Sequence, residues 1–570
     1  MKITKNDVIR WLYAYVLPFA FMFVFYKKYG LYYNTNDDQA LRAMASGLFD
    51  GVCEPHLIFM KYTFGQVLAF LYRTFSALDW YGIILCAVMY ISLCAVISRL
   101  LKRCSGFFTM TGAALLVYGI TVLTVLLESV SFQWTVISAF AGAAGMFLYY
   151  TDDKNSTANI ILVVFLFYMS YVIRYKCFYM MTPVIGLLVL KKGGITGKLF
   201  GKDKDAKPRM KVLIAMAVFA ALFAGTEFIE KKAYDTPEWQ AYNEYNYARS
   251  DLMDYYGFPA YTDNQEFYEA NGISYEEFTV IKRYGLNFID DLDAAKLRVI
   301  ADYAEAQFTE EPAFSRIQSA LVECMDTLLA RQSIFLTLLS LVLALAVLYA
   351  YKSDLSVQVT EILISCGILA MCVYLCWSGR FPLRVSMGLM FIHAMASLAL
   401  LYGKIEFAPL KLNLFTAVCV LLFAVMCGTE LLTIRNEAYR LKNEDSIYNT
   451  WYDLSVQHPE NNYIYEIYLE TPHRFTFAFS GDDSNVFSVG GWTSKTAFRR
   501  RQMEKADAEH LSDILFKENT YYVSYATEKV EYIRNYFDSI GRPCRIELIE
   551  KLHPELDPGR TVSVFRFVTE

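Results

Sequence analysis

The chain is short of charge. Asp, Glu, Lys and Arg make up 19% of its 570 residues, while 55% are hydrophobic. A water-soluble protein of this length shows more charge, so that class is excluded. There is no CxxC pair, and no His is paired with Cys at metal-ligand spacing, which removes zinc-ribbon and thioredoxin-like readings. The 12 Cys do not form a disulfide framework either. Most sit inside apolar runs (Cys86, Cys94, Cys366, Cys372, Cys376, Cys419, Cys427) and read as small core hydrophobes. Neither Gly193-Gly194 nor Gly490-Gly491 is followed by the Lys-Ser/Thr of a phosphate loop, so no nucleotide site is expected. No internal repeat or low-complexity tract is present. The formal net charge is only −5, so where the charges fall matters more than their total.

What the chain has in abundance is apolar runs near 20 residues, each able to cross a hydrocarbon core of about 30 Å. They fall at about 8–26, 80–98, 106–126, 132–150, 159–173, 177–190, 210–229, 332–350, 357–376, 382–402 and 409–430. The expected fold class is a polytopic α-helical membrane protein of about 11 transmembrane helices (residues 1–430) followed by a soluble α+β domain (431–570). The first run lacks a small-residue cleavage site and reads as an uncleaved span rather than a signal peptide.

Charge then orients the spans, because short loops rich in Lys and Arg stay cytoplasmic. Lys2, Lys5 and Arg10, then Arg99, Lys102 and Arg103, then eight cations between Lys191 and Lys211 all fall on one side if the N-terminus is inside. Residues 27–79, the loop near Glu128, residues 230–331 and everything after 431 are then extracytoplasmic. Residues 159–190 are expected as two short spans with Arg174 and Lys176 at their outer turn. One long helix would bury both cations at mid-bilayer. In the first outer loop, Leu41, Met44, Ala45, Leu48 and Phe49 make the stripe of an amphipathic helix. Leu57–Arg73 is apolar but interrupted by charge, and is laid along the interface. Residues 230–331 read as an acidic, Tyr-rich insertion of short helices. After 431, alternating runs predict strands at Tyr463–Leu469, Arg474–Phe479, Asn485–Val489, Thr520–Tyr525, Cys544–Ile549 and Thr561–Val568. Helices are expected near 497–516 and 528–540, with Gly490-Gly491-Trp492 as a tight turn.

The chemistry-bearing residues each carry two readings. In Tyr32-Tyr33-Asn34-Thr35-Asn36-Asp37-Asp38, Asn36 or Asp37 suits a helix N-cap, and the acids Asp37 and Asp38 suit its first turn. They also suit a general base at the membrane face. Arg174, Lys176, Arg380 and Arg384, all at outer span ends, suit snorkelling to headgroups or a cationic pocket for a lipid-linked phosphate. Glu128 is an interfacial carboxylate or a second acid at the same site. His56, after Glu54-Pro55, is structural or part of the site. No metal ligands are assigned, and dependence on a divalent metal stays open.

The set Asn36-Asp37-Asp38, Ser46-Gly47, Gly51, His56, Gly65, Leu71-Tyr72 and Trp80-Tyr81, with its odd number of spans and outer C-terminal domain, resembles the GT-C superfamily. These are integral-membrane glycosyltransferases using polyprenyl-phosphate-linked sugars. The resemblance lies in pattern over about the first 190 residues and in architecture beyond them. It implies inverting transfer of a sugar outside the bacterial plasma membrane to a glycan, lipid or protein acceptor, with Asp37 or Asp38 as base and Glu128 as second-loop acid. Membrane lipids are expected partners and nucleic acid is not. Two other classes fit the same span pattern: a polysaccharide polymerase or flippase-type protein, and a non-enzymatic envelope protein. A flippase is disfavoured where ionisable residues cluster at span ends, as they are expected to do here.

Overall fold

The computed structural model describes residues 4–125, 131–152, 156–192, 210–407, 414–466, 474–475, 482–525 and 529–570. The apolar runs fold as helices: α1 (Lys5–Tyr29), then α2 (Asn36–Ser46) and α3 (Tyr62–Thr74) in the first loop, α4 (Trp80–Leu101), α5 (Phe107–Thr124), α6 (Trp134–Thr151), α7 (Thr157–Ile173), α8 (Tyr175–Lys192) and α9 (Met210–Tyr234). The insertion carries α10 (Pro237–Ser250), α11 (Gln265–Ala270), α12 (Tyr275–Lys282), α13 (Ala294–Glu310) and α14 (Ala313–Leu328). Then come α15 (Ile334–Ala350), α16 (Leu355–Trp377), α17 (Leu383–Leu401) and α18 (Leu414–Gln457). Among the described residues seven helices are long and apolar enough to cross a membrane: α1, α4, α5, α9, α16, α17 and α18. The other four expected runs are helices too, but α6, α7, α8 and α15 are shorter or less apolar.

At the centre stands α6, packed against α4, α7, α8 and α17 and buried along nearly its whole length. Small residues permit this. A Cβ on Gly142 would meet Met181 Cε at 2.1 Å and Ser170 Oγ at 2.7 Å, so glycine leaves room for side chains of α8 and α7. The α7–α8 junction is a hairpin. The chain turns at Arg174, whose φ of −148° and ψ of 88° break the helix. The far end of α8 returns to the end of α6, where Lys192 Nζ donates to Asp152 O at 3.0 Å.

The last quarter of the chain, 431–570, departs from expectation at its entrance. Helix α18 runs unbroken through the 430/431 boundary to Gln457, because nothing between Thr429 and Gln457 is a glycine or proline that would stop it. Beyond it lie β3 (Asn462–Tyr465), β5 (Val486–Ser488), α19 (Ala497–Lys505), α20 (Leu511–Leu515), β6 (Thr520–Ser524), α21 (Glu531–Ser539), β7 (Cys544–Leu552) and β8 (Val562–Thr569). Their sheet has the order β5-β3-β6-β8-β7, parallel across β5-β3-β6 and antiparallel beyond. The expected strand at Arg474–Phe479 is represented by β4 (Arg474–Phe475), and it leaves this sheet. It pairs antiparallel with β1 (Leu31–Tyr33), which pairs in parallel with β2 (Ser131–Phe132). Three segments far apart in sequence therefore close one small sheet on one face of the bundle.

The insertion and the C-terminal sheet share a single apolar core, in which Phe278, Leu286 and Phe288 pack with Phe487, Tyr522 and Phe537. Their backbones touch at Gly490, where an added Cβ would lie 1.9 Å from Tyr284 O. Replacing Gly490 with Ala must separate the two layers. We expect Gly490→Ala to lower the melting temperature of the purified chain, by a loss of about 1–3 kcal/mol. An unchanged melting curve would contradict this packing.

Candidate functional site

Asp37 and Asp38 open α2, whose N-cap is Thr35. Neither carboxylate caps the helix. Asp38 turns away from it and is completely buried. Its Oδ1 accepts from Tyr81 OH at 2.9 Å and from the Trp134 backbone N–H at 3.3 Å, and its Oδ2 accepts from Thr35 Oγ1 at 3.0 Å. Burial pushes this carboxyl up to about 8, against the downward pull of the Tyr81 and Thr35 hydrogen bonds, and the charge of Asp37 adds to the rise. Asp37 is only half-buried. Its Oδ1 accepts from Trp492 Nε1 at 2.9 Å, so the Gly-Gly-Trp turn of the C-terminal region closes over it.

A second buried carboxylate supports the first. Asp79 caps α4 through Gly82 N–H at 3.2 Å and accepts from Tyr33 OH at 3.0 Å and Tyr72 OH at 2.9 Å, with Arg42 Nη1 3.4 Å away. The Tyr33 and Tyr81 rings meet at 5.8 Å and join the Asp79 cluster to Asp38. An Asp directly before an apolar run is a readable cap signal. Its tyrosine partners have no such signal.

Arg174 comes to the same place. Its guanidinium lies over the Trp134 ring at 4.6 Å and the Phe59 ring at 5.4 Å, and Phe59 in turn meets Trp492 at 4.7 Å. Arg174 is within electrostatic reach of Asp37 and Arg384, and Lys176 is within reach of Arg174 and Arg380. The four expected cations therefore cluster. Arg380 is partly diverted, since its Nη1 pairs with Asp254 at 3.1 Å, which Arg249 also engages at 3.1 Å. Among the described residues Arg174, Lys176 and Arg384 have no carboxylate within ion-pair distance. His56 is held elsewhere: Nδ1 contacts Glu54 Oε1 at 2.5 Å, Nε2 contacts Ala233 O at 3.2 Å, and its ring stacks on Trp239 at 4.5 Å. That environment pins the insertion to the first loop rather than presenting a free imidazole. Glu128 lies outside the described residues. Among those described, no group of three or more His, Cys, Asp or Glu is placed to hold a metal ion.

Arg501 fastens the C-terminal region to this loop, with Nε 2.6 Å from Asp50 and Nη2 3.1 Å from Glu54. On the helical side an apolar groove of about 450 Å³ runs between α7, α8 and α9, lined by Phe167, Phe178, Ile185, Phe219 and Phe223 and reaching Tyr179. Tyr179 is one turn from Lys176 on α8, and none of Arg174, Lys176, Arg380 and Arg384 lines the groove itself. No protein family, curated protein or solved structure matches the chain.

The elevated Asp38 carboxyl has a consequence for stability. A folded-state value near 8, above the unfolded value near 3.8, means the native state binds the proton more tightly. Stability then falls as pH rises through the window from about 4 to 8. We expect Asp38→Asn to flatten that slope, so that the variant gains on the wild type as pH rises across the window in detergent melts. Parallel pH profiles for the two would rule out a protonated Asp38.

Proposed function

We propose that the chain is a membrane glycosyltransferase of the GT-C type, with about eleven spans in the plasma membrane and its N-terminus cytoplasmic. It transfers a sugar from a polyprenyl-phosphate donor to an extracytoplasmic glycan, lipid or protein acceptor, with inversion. The observation that carries this reading is the meeting of Asp37 with the Arg174–Arg384 cations in one aromatic-walled site, beside an apolar groove suited to a lipid chain.

The roles follow from exposure and charge. Asp37, the accessible carboxylate, takes the proton of the acceptor hydroxyl as that oxygen bonds to the anomeric carbon. The bond from that carbon to the phosphate oxygen breaks, and its electron pair leaves with the phosphate. Arg174 and Arg384 stabilise the charge gathering on the phosphate, where an aromatic wall keeps the local dielectric low. Asp38 is a positioning residue that fixes α2 against α4 and α6. Asp37→Asn is expected to lower sugar transfer about 10²–10⁴-fold with the protein still folded. Mass spectrometry of cell-envelope glycans and glycolipids from the deletion strain, complemented with wild type or Asp37→Asn, reads the result. Full complementation by the variant would overturn the assignment of Asp37.

One observation favours the flippase-type reading. Ionisable residues are not confined to helix ends. Glu361 on α16 is fully buried, its Oε1 accepts from Ser397 Oγ at 2.8 Å and Ser365 Oγ at 3.2 Å, and His393 of α17 lies 3.5 Å away. Its Oε2 has no hydrogen-bond partner among the described residues. Buried groups of this kind mark ion or proton paths in transporters. Under the transferase reading, Glu361→Gln leaves sugar transfer by the purified chain within about twofold. Loss of lipid translocation in proteoliposomes, with transfer absent even in the wild type, would favour the transporter.

A further inference from the structure

Helix α14 (Ala313–Leu328), the last of the insertion, carries different residues on three sides. Ala320, Cys324 and Leu328 are buried in the core of the bundle with Ile368, Cys372 and Cys376 of α16. Ser315, Ser319, Glu323 and Asp326 recur at helical spacing on a second side and are exposed. The third side is a bare apolar stripe of Phe314, Ile317, Leu321 and Met325, flanked by Val322 and, just past the helix, Leu329. All six are at least 48% exposed, and Phe314 reaches 80%. At 1.5 Å per residue the stripe is about 22 Å long. A contiguous apolar surface of this length is unfavourable in water and marks a place where something docks.

The two ends of α14 fix its level. Near its start, Arg316 Nη2 donates to Trp377 O at 3.4 Å, and the guanidinium lies over the Trp377 ring at 4.8 Å. Trp377 is the last residue of α16, one of the helices long and apolar enough to cross a membrane, and Trp favours the membrane–water boundary. Just past the other end, Arg331 Nη2 donates to Thr433 Oγ1 at 2.7 Å. Thr433 stands where the apolar run of α18 gives way to Arg435 and Glu437. Both ends therefore touch spanning helices where those helices leave the hydrocarbon, so α14 lies along that boundary. The stripe also continues an existing apolar surface. Cys324 is within reach of Cys372 and Cys376, and on the same stretch of α16 Leu369 and Tyr374 are exposed.

We propose that α14 is an in-plane membrane-surface helix, its Phe314–Met325 stripe buried among the acyl chains of the leaflet on the insertion's side and its Ser319–Glu323 side in water. Lipid is the occupant because the stripe lies at the level where the spans end and runs on into the exposed surface of α16. The water-facing residues are Ser and acids rather than Lys and Arg, so apolar burial supplies the attachment and anionic headgroups add nothing to it. The helix thereby anchors the insertion. Asp254 pairs with Arg380 at 3.1 Å, and a Cβ on Gly379 would lie 3.1 Å from Tyr255 O. The insertion thus sits directly on the α16–α17 turn, and α14 holds it to the bilayer at its C-terminal end. This docking needs only a membrane and is the same for a transferase and a transporter.

The test is photo-crosslinking of the full-length chain in phosphatidylcholine nanodiscs, with p-benzoylphenylalanine replacing one residue at a time and adducts read by peptide mass spectrometry. Leu321 and Met325 are expected to gain the mass of one phosphatidylcholine, as the reference position Leu421 does on the exposed apolar side of α18. Ser319 and Glu323 are expected to yield at least about tenfold less. Adducts at Leu421 with none at Leu321 and Met325, or adducts as abundant at Ser319, would overturn the proposal. Chain-to-chain crosslinks at Leu321 in place of lipid adducts would assign the stripe to a second copy and overturn it equally. Hydrogen exchange gives an independent readout. Leu321→Glu combined with Met325→Glu is expected to speed amide exchange along α14 at least about tenfold in the same nanodiscs, while Ser319→Glu leaves it unchanged. Equal exchange in the two variants would contradict a lipid-held helix.

Discussion

Asp38 is a carboxylate with no access to water, placed where α2, α4 and α6 meet. Each of its hydrogen bonds comes from a different part of the chain: Thr35 from the turn before α2, Tyr81 from the first turn of α4, and the Trp134 backbone from the start of α6. A buried acid is tolerated only if it is neutral or fully bonded, and Asp38 approaches both conditions. The first loop therefore has one low-energy position against the bundle. Asp79, bonded by Tyr33, Tyr72 and the start of α4, repeats the device one layer away.

With α2 fixed, the neighbouring Asp37 projects from a rigid base. What it meets is decided by the C-terminal region, which reaches the loop by three routes: the β1–β4 pairing, the Arg501 bridges to Asp50 and Glu54, and Trp492 itself. Electrostatics at the site are then lopsided. The acids are satisfied by hydrogen bonds, while Arg174 lies over the Trp134 and Phe59 rings within electrostatic reach of Arg384, and neither cation has a carboxylate within ion-pair distance among the described residues. Two like charges held together in an aromatic setting are unfavourable unless an anion joins them.

Much of the helical scaffold was legible in the residues. Hydropathy located the runs, and the break at Arg174 followed from the cost of burying Arg174 and Lys176 in one continuous span. The Gly490-Gly491-Trp492 turn and most strands of the last sheet were also readable from alternation. The candidate site was legible only in part. Asp37, Asp38 and the four cations could be named, but Thr35 takes the N-cap position and the acids its first turn, and the His56 ring is held by Glu54 and Trp239. Tyr81, Trp134 and Trp492 carried no signal as site residues, and Asp79 carried only that of a helix cap. Glu361 and His393 were hidden inside runs whose average hydropathy is high.

Two kinds of physics divide along this line. Transfer of an apolar run into hydrocarbon and the side preference of loop cations are sums over neighbouring residues, so the sequence alone determined the segments, their order and the ends at which charge collects. Whether Trp492 would lie on Asp37, 455 positions away, or Arg474 beside Tyr32, depends on which surfaces are complementary once the helices have packed. Hydrogen-bond geometry and close packing between remote segments are not encoded in any local period, and only the tertiary structure decided them.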